Sequence, residues 1–180
     1  LVENVAVGKA TLKVGKLCLA DGKPVLPVDG TGRMGGLMSF LSSGEADTRA
    51  LIDLDTSTSL EAKWDVELDD KRTLAQLDYA PGRYRLHQRR EERDKKPRNL
   101  YRRVELTTEQ IPHDGHSLLG YLRRWEPKDD APGFLYSTLG RHLVRIDVAL
   151  TGREKVALPA GERDAVRFDG VGVRVSEKTL

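Results

Sequence analysis

Residues 117–125 read Ser-Leu-Leu-Gly-Tyr-Leu-Arg-Arg-Trp, and this stretch decides the fold. Its three leucines and Trp125 recur at helical spacing, which predicts a helix of two to three turns with one apolar side. Asp114 or Ser117 can cap its start, and the two arginines of the last turn suit the carbonyl end of the helix dipole. Pro127 ends the helix. Because one short helix cannot bury an apolar side alone, the flanking segments must supply the surface on which it packs.

Those flanking segments alternate like strands. The clearest case is Leu60 to Leu68, in which apolar and charged residues alternate at every position. Asp69-Asp70 and Pro81-Gly82 are turn signals, so this run and the segments that follow them predict successive antiparallel hairpins. The strand-like segments in the whole chain, some of which can belong to one strand, are 2–14, 25–28, 46–54, 60–68, 72–79, 83–88, 100–106, 134–139, 141–150, 155–158, 164–168 and 171–175.

The sequence therefore predicts a mainly β fold. We expect a curved antiparallel sheet, an open or partly closed barrel of about 9–11 strands, around one short helix. A length of 180 residues fits a single domain, 1–180. Since the sequence closes on a strand-like run through Val173 and Val175, we expect one further C-terminal strand beyond it.

Composition excludes several classes of protein. Apolar residues make up 38% and charged residues 32% of the chain, which is typical of a globular protein. The net charge is only +2, so we expect no nucleic-acid partner. A single cysteine, Cys18, excludes an intrachain disulfide framework and a cysteine-based zinc site. No apolar run is long enough to predict a transmembrane helix.

No catalytic motif is present, so we predict no enzymatic activity and no cofactor. The glycines of 30–36 lack the Gly-Lys-Ser/Thr ending of a phosphate-binding loop, and Ser39 and Ser42 lack a nucleophile elbow. His113 and His116, with Asp114 between them, have a spacing that lets two imidazoles approach one metal ion. No further ligand lies nearby in sequence, so we favour a polar loop that caps the helix.

A basic segment spans residues 83–105, with ten lysines and arginines against four acids. One interpretation is a hairpin tip that binds anionic lipid head groups, polysaccharide or nucleic acid. The other, which we favour, is a solvated hairpin whose charges keep other chains from pairing with an exposed edge. The candidate residues for an anionic-surface patch are Arg89, Arg90, Arg93, Lys95, Lys96 and Arg98.

Three segments carry a resemblance to a known family: Ala6-Val7-Gly8-Lys9-Ala10, the helix 117–123, and 152–161 before the strand 164–168. On these residues the sequence resembles domain of unknown function 3108, a bacterial family of exported proteins. The resemblance implies a periplasmic or outer-membrane-associated protein, with a curved sheet that clasps a helix, similar to the bacterial lipoprotein carriers. It brings no catalytic residue.

Three functional hypotheses follow, of which the third, an undetected hydrolase or a glycan-binding protein, rests only on scattered polar residues. The first is a cell-envelope domain that binds a lipid, a lipoprotein or another lipidated partner in an apolar cleft, because a bent sheet around one short helix leaves concave apolar surface uncovered. The second is a scaffold module that binds an envelope protein through strand edges or the basic hairpin 83–105. The residues expected to line the cleft are Leu37, Met38, Phe40, Leu41, Leu119, Leu122 and Trp125.

Overall fold

The computed structural model describes residues 8–34, 43–106, 108–124, 133–139, 141–158 and 161–175. These residues form eleven strands and one short helix, and the strands are arranged in two antiparallel sheets. The predicted fold, mainly β with a sheet around one short helix, is therefore confirmed. No helix in the described ranges is long and apolar enough to cross a membrane.

The larger sheet has eight strands. Seven are hydrogen-bonded in the order β1-β3-β4-β5-β6-β7-β8, and the short β2 pairs with β3. Their bounds are β1 Gly8–Val14, β2 Cys18–Ala20, β3 Lys23–Met34, β4 Gly44–Asp53, β5 Ser59–Leu68, β6 Lys71–Ala80, β7 Arg83–Glu92 and β8 Arg98–Glu105.

Tight turns set the meander from β5 to β8, as the sequence predicts. Asp69 opens the β5–β6 turn with a φ of 54°, a conformation that aspartate tolerates better than most residues. Gly82 has a φ of 66° in the β6–β7 turn, and a Cβ there would lie 2.9 Å from the carbonyl oxygen of Thr108. Glycine is therefore required at this turn by both its backbone conformation and its surroundings.

The larger sheet has two chemically different faces. Ala50, Ala62, Leu77 and Leu86 are directly opposite one another in register on four successive strands, and all four are buried. Residues in register share a face of a sheet. We call the face that carries this row the inner face, and the face of the alternating, mainly charged residues the outer face.

The smaller sheet consists of β9 Gly133–Leu139, β10 His142–Leu158 and β11 Gly161–Arg174, with β10 in the middle. The sequence predicted four short segments where the structure has the two long strands β10 and β11. The prediction was wrong at residues 151–154. The alternation is interrupted there, but a shift of register between Leu150 and Gly152 lets β10 continue through the interruption.

Contacts at the start of β10 join the two sheets. Leu143 packs into the core of the larger sheet, and Arg102 of β8 donates a hydrogen bond to the carbonyl oxygen of Arg141 at 3.0 Å. The hydroxyl groups of Tyr79 and Thr138 lie 2.6 Å apart and connect β6 to β9 inside the protein.

The helix α1, Gly115–Arg124, lies against β9 and β4. Leu118 and Leu122 are half-buried, whereas Leu119 is 60% exposed. The predicted helix is therefore confirmed, and it begins at Gly115 because its cap lies at Asp114. Trp125 lies outside the described residues.

The location of the core predicts that two leucines differ in their contribution to the free energy of unfolding. Leu77→Ala should lower the free energy of unfolding by about 2–5 kcal/mol, because Leu77 is fully buried and its truncation leaves a cavity. Leu19→Ala, at an exposed position of β2, should change it by less than about 0.5 kcal/mol. Urea unfolding followed by circular dichroism measures both, and equal losses would contradict this location of the core.

Candidate functional site

A buried carboxylate organises the polar contacts under the helix. Oδ1 of Asp114 accepts hydrogen bonds from the hydroxyl of Ser59 and from the backbone N–H of Ser117, both at 2.8 Å. The hydroxyl oxygen of Ser117 in turn accepts from the backbone N–H of Asp114 at 3.1 Å. This reciprocal pair is a capping box, so the predicted cap is confirmed and Asp114 provides it.

His116 extends the network to two further strands. Its Nδ1 lies 3.3 Å from Oδ2 of Asp114, and its Nε2 lies 3.1 Å from the hydroxyl oxygen of Thr48 on β4. That hydroxyl also donates to the carbonyl oxygen of Gly30 on β3 at 3.3 Å. The polar network thus ties the start of the helix to β3, β4 and β5.

His113 connects the start of the helix to the smaller sheet. His113 forms a parallel bridge with Ser137, and its carbonyl oxygen accepts a hydrogen bond from the backbone N–H of Thr138 at 2.8 Å. Burial lowers the pKa of His113, while the charge of Asp114 opposes the shift. His113 is therefore neutral at pH 7, and Nδ1 of its ring lies 3.3 Å from the hydroxyl oxygen of Ser117.

Connectivity from carboxylate to imidazole to hydroxyl is also found in nucleophilic enzymes. Here, however, the side chain of His116 is only 13% exposed, and the hydroxyl of Thr48 also donates a hydrogen bond to the carbonyl oxygen of Gly30. Both imidazoles are hydrogen-bonded within the chain, and the described residues contain no group of three or more metal-ligating side chains. The network acts as a structural tie.

An apolar groove lies on the inner face, at the end of the strands away from the buried row. Its volume is about 460 Å³. A strip of small residues forms its floor, and Met34 and Leu68 stand over Gly44, whose Cβ would lie 2.7 Å from the sulfur atom of Met34. We call this surface the inner groove; its inner-face residues are Gly8, Ala10, Gly32, Met34, Gly44, Ala46, Val66 and Leu68.

The predicted cleft residues lie elsewhere or cannot be placed. Leu119 and Leu122 are on the helix, the first exposed and the second half-buried. Leu37, Met38, Phe40, Leu41 and Trp125 lie outside the described residues, so their role stays a prediction. Sequence reasoning missed the inner groove because its members are small residues on four strands. Only the pairing register places Ala10, Gly32 and Ala46 side by side.

Among the described residues, some cations of the basic hairpin have an ion pair and others have none. Arg89 is bonded to Glu91 and Lys95 to Glu92, each at 2.8 Å. Arg93 and Lys96 lie in the β7–β8 connection. By contrast, Arg90 and Arg98 are directly opposite each other on the inner face.

The outer face carries a larger hollow, of about 550 Å³, across β3 to β7. Its charged side chains are largely occupied by one another or by neighbours: Arg49 with Asp29 at 3.8 Å, Lys63 with Glu61 at 2.8 Å, and Arg72 with Asp65 at 2.5 Å. Such a surface is typical of the solvated side of an antiparallel sheet. The inner groove is therefore the stronger candidate for binding.

Comparison with known proteins identifies the family. The profile of the family described as "Protein of unknown function (DUF3108)" matches residues 2–175. The chain belongs to this family. Neither the curated proteins nor the solved structures contain a match. The resemblance of the sequence to DUF3108 is confirmed, whereas the likeness to lipoprotein carriers stays a prediction, and the function of this DUF3108 chain has to be argued from its own geometry.

Asp114 predicts a pH-dependent stability. Burial alone would raise its pKa, but hydrogen bonds from His116, Ser117 and Ser59 outweigh burial and hold the pKa below the usual 3.8. A lowered pKa stabilises the folded state above the unfolded pKa, and this contribution is lost as pH falls through the folded value. Asp114→Asn should therefore cost about 2–4 kcal/mol at pH 7, because three donors lose a charged acceptor.

Urea unfolding from pH 7 to pH 2 tests this prediction. The gap between the wild type and Asp114→Asn should narrow below pH 4 as the wild-type carboxylate is protonated. Asp164→Asn, at an exposed position of β11, is the matched control and should stay within about 0.5 kcal/mol of the wild type at pH 7. A gap that stayed constant to pH 2 would show that the charge of Asp114 is not what stabilises the fold.

Proposed function

We propose that this chain is a non-enzymatic, lipid-binding protein of the bacterial cell envelope. In this proposal the inner groove holds the acyl chain of a lipid or of a lipidated partner. The single observation that carries the proposal is an apolar groove of about 460 Å³ on the inner face, with a floor of small side chains. Ligand sites in proteins commonly have volumes of 300–1,000 Å³.

The shape of the groove suits a chain better than a compact ligand. From β1 to β5 it crosses three strand spacings, about 14 Å in total. One leaflet contributes about half of the 30 Å hydrocarbon core of a bilayer, so an acyl chain has a similar length. Each buried methylene contributes about 0.8 kcal/mol, which makes even a shallow apolar groove effective for a long chain.

The envelope location rests on the family resemblance. The resemblance to DUF3108 implies an exported bacterial protein, and a periplasmic or outer-membrane-associated protein meets lipids and lipoproteins directly. Membrane fractionation of the native protein tests this part of the proposal, and recovery of the protein in the cytoplasmic fraction alone would contradict it.

Filling the groove should weaken acyl binding. A Cβ at Gly32 would meet only the Cβ of Ala46, at 3.9 Å, so Gly32→Leu adds a side chain to the groove without backbone strain. Excluding roughly two methylenes of ligand at about 0.8 kcal/mol each should weaken binding of a fluorescent fatty acid about tenfold. Titration of the purified protein with the probe measures this effect.

Thr31→Leu is the matched control, because it adds an apolar side chain on the outer face of the same strand, at the adjacent position. It should bind the probe as the wild type does. If the wild type does not bind the probe, or if both variants reduce binding equally, the inner groove is not an acyl site.

A second candidate is the scaffold function, which the edge of β11 favours. β11 pairs only with β10 among the described strands, and Val171 and Val173 near its end are 67% and 57% exposed. A long edge strand with exposed apolar residues can accept a strand from another protein.

The double variant Val171→Lys/Val173→Lys distinguishes the scaffold function from binding through the inner groove. If the chain is a scaffold, a partner that co-purifies with the wild type should be lost from the variant with both lysines and kept by Gly32→Leu. A partner lost with Gly32→Leu and kept by the lysine variant would instead support binding through the inner groove. Quantitative pull-down with each purified variant as bait measures this.

A further inference from the structure

The central row of the inner groove continues beyond the groove. Register pairs one inner-face residue per strand from β1 to β8, so each step along the row advances by one strand spacing. The first four members are apolar, the fifth is a threonine and the last two are arginines. In order they are Ala10, Gly32, Ala46, Val66, Thr73, Arg90 and Arg98.

The two arginines are placed unfavourably for the protein alone. Like charges directly opposite each other on one face of a sheet are destabilising. Within the described part of the chain neither guanidinium has an ion pair, whereas the neighbouring Arg89 is bonded to Glu91. The nearest inner-face acid, Glu92, is already held by Lys95 at 2.8 Å, although Arg98 also contributes to lowering its pKa.

Protection of a sheet edge does not explain the pair. Cations on an edge strand prevent pairing with other chains, and this accounts for Arg98 on β8. Arg90, however, is on β7, which lies between β6 and β8 and has no free edge. A bound anion between the two guanidinium groups would remove the repulsion and supply charge-assisted hydrogen bonds.

Distances along the row connect the pair to the inner groove. Val66 is two strand spacings from Arg90, about 10 Å, and only Thr73 lies between them. We propose that the inner groove takes a single-chain lipid with an anionic head group, a carboxylate or phosphate, which Arg90 and Arg98 bind. This inference rests on the proposed acyl-binding function and names the class of lipid.

The chain supplies a matched control for the charge of the pair. Arg85 and Arg103 are also directly opposite each other on β7 and β8, but on the outer face. The double variants Arg90→Gln/Arg98→Gln and Arg85→Gln/Arg103→Gln therefore remove the same charge from the same two strands. They differ in the face of the sheet that loses it, and the outer variant also loses the ion pair of Arg103 with Glu105.

The experiment compares hexadecanoate with hexadecanol by displacement of a neutral fluorescent acyl probe. The wild type should bind the carboxylate about tenfold more tightly than the alcohol. The inner double variant should lose this preference and keep its affinity for the alcohol, whereas the outer double variant should keep the preference. Urea unfolding of both variants confirms that they are folded.

Several outcomes would overturn the inference. Equal binding of carboxylate and alcohol by the wild type, or an equal loss of preference in both double variants, would show that the inner pair does not bind the head group. Displacement of hexadecanoate by millimolar inorganic phosphate would point to a free anion as the ligand. Failure of the wild type to bind either chain would contradict the proposed function itself.

Discussion

The buried carboxylate of Asp114 is the constraint on which the rest of the structure depends. It lies where the helix begins and accepts hydrogen bonds from the helix backbone and from Ser59 of β5, while His116 carries the network to Thr48 of β4. A buried charge is tolerated only when its hydrogen bonds are satisfied, and these contacts satisfy it. The helix is therefore fixed in position over β4 and β5, although Leu118 and Leu122 are only half-buried.

The inner face has two parts. One part is occupied: the buried row from Ala50 to Leu86 belongs to the same core as Leu143 of the smaller sheet. The other part carries glycines, alanines and Val66, which are too small to fill the space above them. The inner groove is thus a consequence of small side chains at the other end of the same strands. Function is proposed at the point where packing is least complete.

Charge follows a similar division. On the outer face, several cations form ion pairs with acids on the same or adjacent strands, and such exposed pairs contribute little to stability. The inner face has fewer charges, and Arg90 and Arg98 oppose each other there without an ion pair among the described residues. Two like charges next to an apolar groove are a poor arrangement for stability alone and a good one for an amphipathic, anionic ligand.

The sequence by itself determined the local features of this protein: the hairpins from β5 to β8, the helix near residues 117–125 and its cap. These follow from alternation over Leu60 to Leu68, from the turn residues Asp69 and Gly82, and from polar residues before an apolar run, all of which act over a few residues. Only the tertiary structure decided the register that aligns Ala10, Gly32, Ala46 and Val66. It also decided that Asp114, and not Ser117, is the N-cap residue whose side chain bonds to the sheet, and that β10 continues through its bulge. Each of these depends on pairing between segments far apart in the chain, where a slip of one residue would exchange the two faces of a strand, and no local pattern specifies that choice.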